Sequence, residues 1–141
     1  MKLTIFDAQD KFKNEEFLEF VLLKMKQRLY SQLDVNKLRK AEEFFNKYSR
    51  YKSVYKKYIS AREVVISGIL NIEYKVTGNK IVFEINSVQI FPSTDAKLYE
   101  MCKLINNGNL LLRGYPIFSS TFDYFKEHLN EYYDLFINRG M

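Results

Sequence analysis

The apolar residues of this chain keep a helical period, abandon it between Leu70 and Ile85, and take it up again afterwards. In "ILNIEYKV" every second residue is apolar: Leu70, Ile72, Tyr74 and Val76. "TGN" follows, and "KIVFEI" sets Ile81, Phe83 and Ile85 at the same spacing. Alternation of this kind puts each set on one face of a strand, and a Gly-containing turn between them makes a β-hairpin. A lone hairpin is marginal in water, so its apolar face has to be covered by the helices on either side. The class is therefore α+β. Val88 and Ile90 fall out of phase with the strand, which predicts a bulge or strand end near Asn86 and Ser87.

Upstream, "NEEFLEFVLLKMKQRLYSQL" predicts a helix from Asn14 to Leu33, with Asn14 as N-cap and Glu15 and Glu16 in the first turn, where the helix dipole favours acids. Phe17, Leu18, Val21, Leu22, Met25 and Leu29 form its core face. A second helix is expected from Asp34 or Asn36 to about Ser60. Ala41, Phe44, Tyr48, Tyr51, Tyr55 and Tyr58 draw an aromatic seam along it, interleaved with Lys47, Arg50, Lys52, Lys56 and Lys57. At 1.5 Å per residue it would span roughly 36 Å and project past its own core. Downstream of the hairpin, Pro92 stops strand continuation and Ser93 or Thr94 is read as the cap of a short helix. That helix carries Leu98, Met101, Cys102 and Ile105 on one face and closes at Gly108. Leu110 to Leu112 read as a short strand pairing with the hairpin. A final helix is expected from Ser120, whose hydroxyl would form a capping box with Asp123. Phe122, Phe125, Leu129, Tyr132 and Phe136 supply its seam.

The expected plan is a single domain over residues 1–141. It is helical and basic to about residue 60, with the hairpin, short helix, short strand and C-terminal helix beyond. A chain of 141 residues can bury one sizeable core without staples. Cys102 and His128 are each the only residue of their type, so one chain can assemble neither a disulfide framework nor a multi-His or thiolate metal centre. No apolar run approaches eighteen residues and no charged-then-apolar leader follows Met1, so a soluble protein inside the cell that makes it is expected. The net charge of +5 is uneven: residues 1–62 hold 15 Lys or Arg against 8 Asp or Glu, and residues 63–141 hold 7 against 9. Such asymmetry points to an anionic partner, although 16 Lys against 6 Arg, with abundant Asn, Ile and Tyr, also reflects AT-rich coding.

Chemistry is sparse. Glu73 and Lys75 stand two apart on the first hairpin strand, as in metal-dependent nucleases, but the only acid just upstream is Glu63, and a wet hairpin face gives the same letters by default. Cys102 shares its face with Leu98, Met101 and Ile105 and reads as a buried thiol. No phosphate loop, nucleophile elbow or zinc spacing is present. No enzyme and no cofactor is expected, and "LINNGNLLLRGYPIF" reads as a segment that sets geometry.

Three short signatures in the second half are similar, in order, to those of the head-to-tail joining proteins of tailed bacteriophages, the neck or tail-completion family. "SGIL" (67–70) resembles the Thr-Gly-x-Leu that leaves a long helix for the hairpin. "LINNGN" (104–109) resembles an apolar-x-Glu-x-Gly-Thr turn, with Asn106 at the acid and Asn109 at the Thr. "GYPIF" (114–118) resembles the Gly-x-Pro-Phe before the last helix. The resemblance covers roughly residues 60–137. It implies a virion structural protein at the head-tail junction, present in host cytoplasm during assembly, forming a homo-oligomeric ring, typically of six, that docks on neighbouring neck and tail proteins around a DNA channel. On that reading Tyr48, Tyr51, Tyr55 and Tyr58 are interface residues. Lys47, Arg50, Lys52, Lys56 and Lys57 are candidates to face DNA, and Gly68, Gly108, Gly114 and Pro116 set geometry. The alternative is a small phage-encoded nucleic-acid-binding or host-inhibitor protein whose working face is the basic Tyr/Lys helix 47–58.

Overall fold

The computed structural model describes residues 1–48 and 58–139. Strand β1 (Lys2–Ile5) leads through a 3-10 turn (Asp10–Lys13) into α1 (Glu15–Ser31) and α2 (Val35–Lys47). Helix α3 (Ala61–Leu70) precedes the hairpin β2 (Ile72–Thr77) and β3 (Lys80–Ile85), and α4 (Leu98–Asn107), α5 (Ile117–Glu127) and α6 (Leu129–Ile137) complete the order. The fold is α+β: helices against an antiparallel sheet ordered β1-β3-β2.

The hairpin follows its predicted phase. Ile72 pairs with Ile85, Tyr74 with Phe83 and Val76 with Ile81, so one face collects the alternating apolar residues. Ile81, Phe83 and Ile85 are fully buried there. Helix α1 packs on β2 and α5 on β1, leaving the other face with Glu73, Lys75 and Glu84. β3 ends at Ile85, and the Asn86 side chain then accepts from Val88 N at 2.9 Å, turning the chain away. Leu70, expected to begin the strand, instead ends α3 and is exposed.

The third strand is a correction. It comes from the N-terminus, with Leu3 opposite Phe83 and Ile5 opposite Ile81, so the first sixty residues are not wholly helical. β1 pairs along the outer edge of β3, and Asn109 Oδ1 accepts from both Leu111 N and Leu112 N at 2.8 Å, holding residues 110–112 in a loop outside the sheet.

Helix α1 begins as read: Asn14 Oδ1 accepts from Phe17 N, and Phe17, Leu18, Val21, Met25 and Leu29 are buried. The second helix does not run on to Ser60. Asp34 caps it through Asn36 N and Lys37 N, Leu38, Ala41 and Phe45 face the core, and Tyr48 leaves it with extended backbone at ψ 125°. The carboxamide of Asn46 explains why the chain must return, since Oδ1 accepts from Ile59 N and Nδ2 donates to Ile59 O. In one continuous helix those two residues would lie about 20 Å apart. Ser60 then caps α3, which the sequence reading did not anticipate, by accepting from Glu63 N.

The last helix starts earlier than expected and is divided. Pro116 is the N-cap residue of α5, and Ser120 lies inside the helix with its hydroxyl donating to Ile117 O. The backbone bends at His128, whose Nδ1 lies 2.7 Å from Tyr124 O and whose ring stacks on Tyr124 at 4.2 Å. Helix α4 likewise takes Lys97 as N-cap residue, because an Ile90–Lys97 bridge closes the preceding loop and Thr94 donates to Phe91 O. Buried apolar residues from β1 through α6 form one continuous cluster.

Candidate functional site

The three short segments singled out in the sequence come together at one corner of the molecule. Gly68, in the last turn of α3, is buried because α4 and α5 approach it closely: a Cβ there would stand 2.6 Å from Cys102 Sγ and 3.1 Å from the Phe118 ring. Burial raises the Cys102 thiol above its ordinary range, and Sγ lies 3.6 Å from Val64 O, so this cysteine is core. Gly108 ends α4 with φ 69° and ψ −170°, a conformation reserved in practice for glycine, and a Cβ would meet Leu112 O at 2.3 Å. Gly114 passes over Asn107, whose carbonyl carbon and oxygen would each be 2.7 Å from an added Cβ.

Asn106 binds the corner to α5. Its Oδ1 accepts from Phe118 N and Ser119 N at 3.0 Å, and its Nδ2 donates to Ser119 Oγ at 2.6 Å and to Asn107 Oδ1 at 2.7 Å. A side chain from α4 thus satisfies two first-turn amides of α5, which lets that helix begin at Ile117 with no cap of its own. Tyr115 N donates to Ile105 O at 2.7 Å, and the Tyr115 hydroxyl donates to Gln32 O at the end of α1. Burial, then the nearby Asp34 charge, raises that phenol.

The corner displays a tip. A Gly108–Arg113 bridge and the bonds of Asn109 close residues 108–113 into a fixed loop, in which Leu112 turns inward. Leu110 is fully exposed and Leu111 is 71% exposed. Beside the tip runs a groove of about 580 Å³ lined by Lys40, Phe44, Lys47, Tyr48 and Arg113 among others. Lys37, Lys40, Lys47 and Arg113 are all exposed here. Sequence reasoning missed this surface because it read Leu110–Leu112 as a strand. The Gly108-Asn109 turn dipeptide was the available signal.

Of the Tyr/Lys stripe, Tyr51, Tyr55, Arg50, Lys52, Lys56 and Lys57 lie outside the described residues. Tyr48 is half-buried, its ring 4.5 Å from that of Phe44, and Lys47 is exposed next to it. Tyr58 is exposed, its phenol raised by a hydrogen bond to Glu42. Glu73 sits opposite Glu84 in the sheet, and among the described residues no group of three His, Cys, Asp or Glu is placed to hold a metal ion. No helix among the described residues is long and apolar enough to cross a membrane. The chain matches no protein-family model, no curated protein and no solved structure.

Proposed function

We propose that this chain is a virion structural protein of a tailed bacteriophage, acting by docking at the head-tail junction as a neck or tail-completion subunit within a ring. The observation that carries the reading is the convergence of three short signatures, separated by tens of residues, on one buried corner: Gly68 on Cys102 and Phe118, Asn106 on the amides of α5, Gly108 beside Gly114. The output of that corner is an angle, because it holds an apolar tip in one conformation before any partner arrives, and a preorganised loop loses less entropy on docking.

The test is made on particles. Mass spectrometry of density-banded virions of the encoding phage is expected to find this chain as a component. A nonsense mutation in its gene is expected to leave DNA-filled heads and separate tails in electron micrographs. Intact, infectious particles formed without the chain would overturn the proposal. Strong, salt-sensitive duplex binding by the purified chain, together with its absence from virions, would favour the nucleic-acid reading instead.

A further inference from the structure

The two ends of α1 carry opposite chemistry. At its C-terminal end sit the Tyr115 contact with Gln32, the exposed Leu110–Leu111 tip, and the cations of α2 and Arg113. Lys37 Nζ lies 5.2 Å over the Tyr115 ring, which ties the α2 cations to the same corner. The acids there are engaged: Asp34 caps α2, and Glu43 reaches Lys40 at 3.7 Å. At the N-terminal end, Phe136 of α6 packs on Phe17 and Phe20 at 5.4 and 5.6 Å, so the last turn of α6 lies there, roughly 20 Å from Gln32 by helix rise. With Leu129 and Phe136 buried, Glu131 and Asp134 fall on the outward face of α6, flanked by exposed Leu135 and Ile137. Glu15, Glu16 and Glu19 are exposed at the same end. The cations there are already occupied: Lys13 by Asp10 at 2.8 Å, Arg139 by Glu16 at 3.3 Å, and Lys11 over the Phe12 and Tyr133 rings.

We propose that the Leu110–Leu111 tip with Lys40 and Arg113 docks on the outward face of α6 of a second copy of this chain, against Glu131, Asp134 and Leu135. The match is twofold: leucines meet leucine and isoleucine at the centre, and around them Arg113, with the exposed lysines Lys37, Lys40 and Lys47, meets the exposed carboxylates Glu131 and Asp134. Charge arranged in this way fixes orientation and speeds encounter. Because the two faces differ, the contact is heterologous, and repetition yields a ring where the rotation closes or a filament where it does not. The inference rests on the ring reading for its closure; the pairing of faces stands on charge and exposure.

Sedimentation velocity at submillimolar chain and low ionic strength tests it. The wild type is expected to self-associate, and less so in high salt. Lys40→Glu with Arg113→Glu, and separately Glu131→Lys with Asp134→Lys, are each expected to weaken association by about tenfold or more. All four positions are exposed, so circular dichroism should be unchanged. A chain carrying all four changes restores opposite charge across the contact and is expected to regain association. Leu110→Ser with Leu111→Ser, which leaves the charges alone, is expected to lose it. A monomeric wild type, reversals without effect, or a fourfold variant that stays monomeric would each overturn the proposal. Loss of duplex binding in the Lys40/Arg113 variant with no self-association in the wild type would assign the face to nucleic acid and overturn it as well. Virion composition is read separately, so this contact can fail while the chain is still found in particles.

Discussion

The two ends of α1 are built by different means. At the N-terminal end, Phe12, Phe17, Tyr133 and Phe136 meet with ring centroids 5.3 to 6.3 Å apart, a cluster held by buried aromatic area. At the C-terminal end, the corner has little apolar bulk at its turn and is fixed by what glycine leaves out and by four hydrogen bonds of one asparagine. One end should therefore fail when atoms are removed and the other when atoms are added. Phe17→Ala is expected to cost about 3–5 kcal/mol, since the ring is wholly buried. Gly108→Ala is expected to cost on the order of 3 kcal/mol despite adding a single carbon, because positive φ and the backbone at Leu112 and Gly114 leave no room. Urea unfolding measures both. The contrast breaks if Gly108→Ala is as stable as wild type.

A smaller effect sharpens the same point at Gly68, where the obstacle is a side chain. Gly68→Ala alone should cost about 1–3 kcal/mol by overpacking against Cys102 Sγ. Cys102→Ala removes the sulfur that the new methyl would strike, so the double variant is expected to be less destabilised than the sum of the two single changes. At Gly108 no such rescue exists, because the obstructing atoms are main chain. Additivity at Gly68 would mean that α3 and α4 adjust freely there.

How much of this was legible follows the kind of signal each element carries. The hairpin phase was readable from Ile72 to Ile85 because alternation is local, and Asn14 and Gly108 declared their helix ends for the same reason. What lay beyond sequence reasoning depended on partners far along the chain. β1 is four residues whose strand character comes from pairing with β3 some eighty residues later. The end of α2 depends on Asn46 reaching Ile59, and the start of α5 on Asn106 reaching Phe118 and Ser119. Each of these is an ordinary Asn in the sequence. At the candidate surface, three leucines in a row promised a strand, and only the side-chain bonds of Asn109 turn two of them outward.

The mildest expected effect is on alkaline stability, and it separates the corner from the α5–α6 bend. Cys102 is fully buried, and burial raises its thiol above the ordinary 9.0. The unfolded chain therefore releases this proton first: its contribution is complete below pH 9, and stability falls as pH rises beyond that, by about 1.4 kcal/mol per pH unit. Tyr132, stacked on Phe125 near the bend, is pushed up to about 12, first by burial and then by the Tyr124 hydroxyl, so its own contribution begins to fall only above pH 10. Thermal melts across pH 8 to 11 should thus show the decline starting near 9 in the wild type and near 10 in Cys102→Ala. Coincident profiles would mean that the thiol ionises in the native corner as easily as in the unfolded chain, and that Gly68, Cys102 and Phe118 are not packed as closely as the geometry requires.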